Sequence, residues 1–238
     1  MATYALIPGG GGDPWEWHRL VPELEGRGHE ALAIRLPSED DTAGWAEYAD
    51  AVVDAMGDRR DIILVAESMG GFTAPIVCTR RPVDLIVLLN AMIPVPGETF
   101  NAWWSNTDSG GARRQYHASI GLEPAETDDD AVIYYHDLPV ALSAEALART
   151  WQDQSKTPLE QPWPLPAWPD VPTRVLAGRH DRMFPLEFQR RIARERLGLE
   201  IEEIEGGHMV ALSNPRALAD RLEAFRVEAR RERRSDTR

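Results

Sequence analysis

The segment IILVAESMGGF, residues 62–72, decides the fold of this 238-residue chain. An apolar run leads into a serine, and two glycines follow where a helical pattern begins. The small residues Ala66 and Gly70 stand two positions before and after Ser68, as a sharp turn between a buried strand and a helix requires. The usual pattern is G-x-S-x-G, and alanine still fits at its first position. The segment predicts a nucleophile elbow that presents the Ser68 hydroxyl; the alternative is that Ser68 only caps the helix.

Two periodicities alternate along the rest of the chain. Near-continuous apolar runs predict strands covered on both faces, at Tyr4–Pro8, Ala31–Leu36, Ile62–Ala66, Leu85–Leu89 and Thr173–Ala177, with a more polar edge strand at Glu200–Glu205. Apolar residues at helical spacing predict helices, at Trp15–Arg27, Gly44–Met56, Met69–Arg80, Leu186–Leu197 and Pro215–Arg230. This order predicts an α/β fold, a mostly parallel sheet of about six strands flanked by helices.

Residues 94–169 interrupt the alternation, because they are rich in proline and contain no comparable apolar run. A structureless loop of this length is uncommon in a compact domain. We therefore predict an inserted, mostly helical lid on a core formed by residues 1–93 and 170–238. Five aromatic side chains would give this lid apolar faces that either line a pocket or pack on the sheet: Trp103, Trp104, Tyr134, Tyr135 and Trp151.

Composition excludes several classes of function. The net charge of −13 argues against nucleic-acid binding, which usually needs a basic face. No run approaches the roughly 20 apolar residues of a membrane span, and residues 1–8 lack the features of a signal peptide. The single cysteine, Cys78, excludes an internal disulfide and a multi-cysteine metal site. We expect a cytoplasmic protein that needs no metal and no organic cofactor.

A serine hydroxyl becomes a nucleophile only when a base takes its proton. His208 is the best candidate among the six histidines, because it follows the last predicted strand through a Gly-Gly turn at the carboxyl edge of the sheet. His18 and His29 lie near the first helix, and His117 and His136 lie in the predicted lid. His180 directly precedes Asp181, so it is better explained as a neighbour of that aspartate than as the base.

The base in turn needs a carboxylate that orients it. Asp181 comes just after the strand that ends near Gly178, at the same edge of the sheet. Along the chain, the three residues come in the order serine, aspartate, histidine, which is the order found in proteins with this elbow motif. Asp84 and Asp170 precede strands, so they belong at the opposite edge.

An acyl-transfer site also needs donors for the negative charge that forms on the substrate oxygen. We expect the backbone amides of Met69 and Gly10, the latter in the glycine-rich loop at residues 8–12. This loop lacks the lysine and the spacing of a phosphate-binding turn. The predicted substrate pocket consists of Trp15, Trp103, Trp104, His136 and Met209.

These motifs resemble the small plant methylesterase and hydroxynitrile lyase branch of the α/β-hydrolases. The similar stretches are IPG at 7–9, WEW at 15–17, GHEA at 28–31, ESMGG at 67–71, GHM at 207–209 and NP at 214–215. The first loop departs from the family's usual His-Gly, since Pro8 precedes Gly9. The family lyases carry lysine after the catalytic histidine and threonine in the oxyanion loop, whereas this chain has Met209 and glycines. Ester hydrolysis is therefore favoured over cyanohydrin cleavage.

The sequence predicts a serine hydrolase that cleaves a small-molecule carboxylic ester through an acyl-enzyme. Thioesters, lactones and carbon–carbon bonds stay open, because the same three residues can act on them. A lyase and a non-catalytic protein that binds a small ligand and retains the triad are the alternatives. The sequence does not indicate the oligomeric state.

Overall fold

A six-stranded parallel sheet forms the centre of the protein. The computed structural model describes residues 1–123, 129–149 and 154–236, so Trp151 lies outside the described residues. The strands are β1 (Thr3–Ile7), β2 (Glu30–Ala33), β3 (Ile62–Glu67), β4 (Leu85–Leu89), β5 (Thr173–Gly178) and β6 (Ile201–Ile204). Their order in the sheet is β2-β1-β3-β4-β5-β6, and every pair is parallel. The predicted fold class is confirmed, with β6 at one edge.

Helices connect the strands. A 3₁₀ helix covers Pro14–Trp17, followed by α1 (Val21–Glu25), α2 (Trp45–Met56), α3 (Gly70–Val77), α4 (Phe100–Asn106), α5 (Ser109–Ser119), α6 (Asp130–Ile133), α7 (Val140–Ala148), α8 (Thr157–Glu160), α9 (Leu186–Leu197), α10 (Val210–Ser213) and α11 (Pro215–Asp236). The first predicted helix is two separate helices in the structure. Pro22 has no amide hydrogen to donate to a preceding turn, so it lies in the first turn of a new helix, α1. Helices α4 to α8 all lie between β4 and β5, within residues 94–169.

Both faces of the sheet are buried, which explains the continuous apolar runs of its strands. Successive side chains of a strand point to opposite faces. In β3, for example, Leu64 packs into the cluster under α2, α3 and α9, while Val65 packs into the cluster under α1 and α11. A third, smaller cluster joins Tyr135 and Leu138 to Met209 and Leu212, so the inserted segment packs against the chain that follows residue 208.

The turn between β3 and α3 depends on close backbone packing. Ser68 has a φ of 48°, in the left-handed region that non-glycine residues rarely adopt. A Cβ at Gly70 would lie 2.9 Å from the carbonyl oxygens of Ile7 and Pro8, so α3 starts directly against the end of β1. A Cβ at Gly71 would overlap the carbonyl oxygen of Met92. The glycines of the elbow are thus required by contacts with neighbouring strand ends.

Within the described ranges, no helix combines the length and the apolar character that crossing a membrane requires.

Replacing Gly71 by alanine should destabilise the fold, because the obstructing atom belongs to the backbone and cannot rotate away. We expect a loss of about 3 kcal/mol in the free energy of unfolding, measured by urea denaturation. Gly110→Ala is the matched control, since its new Cβ would meet only the flexible end of Arg114 within helix α5. Equal stability of the two variants would contradict this packing.

Candidate active site

Ser68 lies at the carboxyl end of β3, where the end of β4 and the residues after it hold its backbone. Its amide donates to the carbonyl of Leu89 at 3.3 Å, and its carbonyl accepts from the amide of Met92 at 2.9 Å. These bonds keep the left-handed backbone in place. The residue lines a cavity of about 330 Å³.

Asp181 and His208 form a buried pair, and His208 lines the same cavity. The Nδ1–H of His208 donates to Oδ2 of Asp181 at 2.8 Å. His208 is 2% exposed and Asp181 is fully buried. The two residues follow β5 and β6, and because parallel strands end at one edge, the loops after them meet there. The structure therefore brings the predicted base beside the predicted acid.

Backbone amides fix the carboxylate of Asp181. Its Oδ1 accepts from the amides of Met183 and Phe184 at 2.8 and 2.9 Å. Its Oδ2 also lies 3.3 Å from Nε2 of Gln189. A carboxylate with this many donors keeps one orientation, which is what holding an imidazole requires.

Asn90 connects the loops that carry the pair, and the sequence analysis missed it. Its Nδ2 donates to the carbonyls of Gly207 and His208 at 3.1 and 2.8 Å, and its Oδ1 accepts from the amide of Gly178 at 2.6 Å. Its φ of 46° suits asparagine, which tolerates the left-handed region. A polar residue directly after the buried run of β4 was the available signal.

Glu67 makes the other close contact of the His208 ring. Its Oε1 lies 3.0 Å from Nε2, so the imidazole stands between two carboxylates. In the described part of the chain, no hydrogen bond joins Nε2 to the Ser68 hydroxyl. Burial alone would lower the pKa of His208, but the charges of Asp181 and Glu67 outweigh it and raise this pKa to about 10. This arrangement favours the imidazolium.

Glu16 brings a third carboxyl group to the site. Burial, and then the nearby charge of Glu67, raise the pKa of Glu16 well above its usual range. Burial also raises the pKa of Glu67, although His208 opposes that shift. The positive charge of His208 opposes the shift at both carboxyls, but it contacts only Glu67, so the carboxyl without that contact holds a proton more readily. Glu16 is that group.

The two predicted oxyanion donors also line the cavity. Within the described residues, the amides of Met69 and Gly10 donate no intramolecular hydrogen bond. The next amide in the loop, that of Gly11, is taken by Oε1 of Gln154 at 3.0 Å. Gln154 also donates to the Tyr48 hydroxyl at 2.8 Å. Gln154, which lies between β4 and β5, thus holds the glycine loop at Gly11. Among the described residues, the amide of Gly10 has no intramolecular acceptor.

Two of the five predicted pocket residues line the cavity, whereas Trp15, Trp103 and His136 do not. Trp104 and Met209 line the cavity. Trp103 is fully buried in the core and donates from Nε1 to the carbonyl of Ile93, and Trp15 packs under the guanidinium of Arg149. His136 lies with Nε2 3.0 Å from the carbonyl oxygen of His180. The described residues that line the cavity are Gly9, Gly10, Gly11, Glu16, Glu67, Ser68, Met69, Met92, Phe100, Trp104, Asp130, Tyr134, Gln154, Met183, His208 and Met209.

A search of residues 1–123, 129–149 and 154–236 finds no group of three or more histidine, cysteine, aspartate or glutamate side chains arranged to hold a metal ion.

Comparisons with known proteins agree with this architecture. Residues 5–221 match the profile described as "Alpha/beta hydrolase family". Over 106 residues the chain is 26% identical to Methylesterase 9 of Arabidopsis thaliana, a match that covers 40% of this chain and 41% of that relative. The match thus spans less than half of the relative's length. By name, this relative falls in the branch that the sequence resembles.

Solved structures give the same result over nearly the whole chain. Polyneuridine aldehyde esterase superposes with a TM-score of 0.75 at 20% identity, covering 94% of this chain and 99% of that one. A pyrethroid hydrolase from Sphingobium faniae JZ-2 superposes with a TM-score of 0.73 at 19% identity, covering 94% and 97%. At these identities the likeness shows a shared fold.

Asn90→Ala should loosen the loop that carries His208, because buried donors and acceptors lose their partners and alanine is strained at a φ of 46°. We expect a loss of about 3 kcal/mol in the free energy of unfolding, measured by urea denaturation. Faster amide hydrogen exchange at residues 206–209 should accompany it. Unchanged exchange in that loop would show that Asn90 does not hold it.

Proposed function

The chain belongs to the alpha/beta hydrolase family, and on this premise we propose that it is a serine hydrolase of small-molecule carboxylic esters. One observation carries the proposal. A histidine whose ring lies 2.8 Å from a buried aspartate lines the same cavity as a serine on a strained strand-to-helix turn. A helix-capping serine needs neither the strain nor the pair.

The reaction begins with attack of the Ser68 Oγ on the ester carbonyl carbon. Nε2 of neutral His208 takes the hydroxyl proton as the new C–O bond forms. In the resting arrangement Nε2 faces Glu67, so this step requires Nε2 to exchange that contact for Ser68. Asp181 keeps the Nδ1 proton in place and stabilises the imidazolium.

The second half of the reaction returns the site to its starting state. The imidazolium gives its proton to the leaving alkoxide as the tetrahedral intermediate collapses to an acyl-serine. His208 then takes a proton from water, whose oxygen attacks the acyl carbon, and Ser68 recovers its hydroxyl proton when the acid leaves. The amides of Met69 and Gly10 serve as donors to the oxyanion in both steps, each contributing about 3 kcal/mol to the transition state.

The cavity lining favours hydrolysis over cyanohydrin cleavage. Met209 lines the cavity directly after the base, and a thioether cannot stabilise a departing cyanide. Aromatic and methionine side chains supply apolar surface for an acyl or alcohol group, among them Phe100, Trp104 and Met183. The names of the similar structures, an aldehyde esterase and a pyrethroid hydrolase, are consistent with ester chemistry on this fold.

Ser68→Ala should abolish covalent labelling by a fluorophosphonate and lower ester turnover by about 10³-fold or more. His208→Ala should lower turnover to a similar extent, because Ser68 would then lack a base. Intact-protein mass spectrometry and a chromogenic ester assay measure both effects. Ser119→Ala is the matched control, since this exposed hydroxyl only donates to the carbonyl of Tyr116.

Labelling that persists in Ser68→Ala would contradict the assignment of the nucleophile. A ligand-binding protein that keeps the three residues would bind an ester without turnover, and its Ser68 would not react with the fluorophosphonate. The two outcomes separate an enzyme from a binding protein.

Anionic esters should be poor substrates. Glu67 and Asp130 line the cavity beside the protonated Glu16, and the described lining contains no lysine or arginine. We expect kcat/KM for 4-nitrophenyl hemisuccinate to be about tenfold or more below that for 4-nitrophenyl butyrate, with the gap narrowing as salt screens the charges. Asp130→Asn should narrow the gap as well. Equal rates for the two esters would contradict this electrostatic selection.

A further inference from the structure

Glu67 precedes the nucleophile in the chain, and its side chain reaches the base. It is the last residue of β3 and is 3% exposed, so its carboxylate is withdrawn from solvent. Its Oε1 lies 3.0 Å from Nε2 of His208. A buried carboxylate is costly unless a charged or hydrogen-bonding partner accompanies it. The protonated imidazole is the partner that this contact supplies.

The other oxygen of Glu67 lies against the backbone of the glycine loop. A Cβ at Gly9 would overlap Oε2, which shows that the carboxylate rests directly against the start of the glycine loop. Glu67 therefore spans the distance between the base and the oxyanion loop. Because Gly9 has no side chain, the carboxylate fits there without displacing the loop.

The other groups that face the imidazole leave Glu67 as the decisive charge at Nε2. Asp181 occupies Nδ1, and the rings of Tyr134 and Phe184 pack against the imidazole with centroids 5.5 and 5.3 Å away. Glu16 lies close enough to act electrostatically, but burial and Glu67 keep its proton on. Asp130 also lines the cavity, where it is exposed to solvent.

We propose that Glu67 is a positioning residue for His208: its carboxylate forms an ion pair with the imidazolium at Nε2 in the resting site, and Nε2 must leave it before accepting a proton from Ser68. When the imidazolium loses its Nε2 proton to solvent, two acceptors face each other and repel. The ring then turns toward the Ser68 hydroxyl, the donor that the reaction requires. After attack, the new imidazolium again has a carboxylate beside it.

This role makes the reactivity of Ser68 depend on pH in a specific direction. Two carboxylates raise the pKa of His208, so the neutral base is scarce below that pKa and becomes abundant above it. Reactivity therefore rises with pH along a limb that lies above the ordinary histidine pKa of about 6.5. Removing the charge of Glu67 moves that limb to lower pH.

The test is a titration of His208 by ¹⁵N-histidine NMR in the full-length wild type and in Glu67→Gln. The signal is assigned by its loss in His208→Gln. We expect the pKa of His208 to fall by about one unit or more in Glu67→Gln, and to fall less in Glu67→Asp, which keeps a withdrawn charge. Glu187→Gln removes one negative charge from a side chain that is 80% exposed, and should leave this pKa unchanged.

The rate of fluorophosphonate labelling against pH gives a second readout, which rests on the proposed function. The midpoint of its rise should move down with the NMR pKa, and the plateau at high pH should fall because the imidazolium loses one of its two partners. An unchanged His208 pKa in both Glu67→Gln and Glu67→Asp would overturn the role of Glu67, whatever the labelling shows. A lowered pKa with no labelling of wild-type Ser68 at any pH would support that role and overturn the proposed function.

Discussion

The hydrogen bond between Asp181 and His208 is the interaction on which the site depends. It joins residues 27 positions apart, and it forms because β5 and β6 are adjacent parallel strands that end at one edge of the sheet. Asn90, from the end of β4, ties both loops together. Residues at the ends of three neighbouring strands, β4, β5 and β6, thus hold one imidazole in place. A Cβ at Gly178 would overlap the carbonyl oxygen of Gly207, so the backbones of the two loops pack directly against each other.

The nucleophile and the pocket arise from different parts of the chain. The strained turn at Ser68 is held by β1, β3 and β4, which makes its position a property of the sheet. The walls of the cavity combine the glycine loop, the elbow and the chain at residues 208–209 with residues between β4 and β5, among them Phe100, Trp104 and Tyr134. Gln154 connects the two parts at the Gly11 amide. The strand ends therefore position Ser68, while the segment between β4 and β5 contributes part of the cavity wall.

Local patterns were enough to predict the six strands and the positions of Ser68, Asp181 and His208, because buried parallel strands are continuous apolar runs and polar residues at their carboxyl ends converge. Contacts between distant side chains were beyond those patterns. Asn90 and His208 are 118 positions apart, and the Glu67 contact depends on a side-chain rotamer. Trp103 and Trp104 are adjacent, yet one is buried in the core and the other lines the cavity. The difference depends on which face of helix α4 packs on the core, and local sequence patterns do not show this.

A crystal structure of the fluorophosphonate-treated protein tests the central claim most directly. The account predicts phosphorus bonded to Ser68 Oγ and the phosphonyl oxygen about 2.7–3.1 Å from the amides of Met69 and Gly10. It also predicts that Nε2 of His208 has left Glu67 for the phosphonylated serine. An adduct on another residue, or an imidazole still held by Glu67 beside an adduct whose oxygen has no amide donor, would contradict the account.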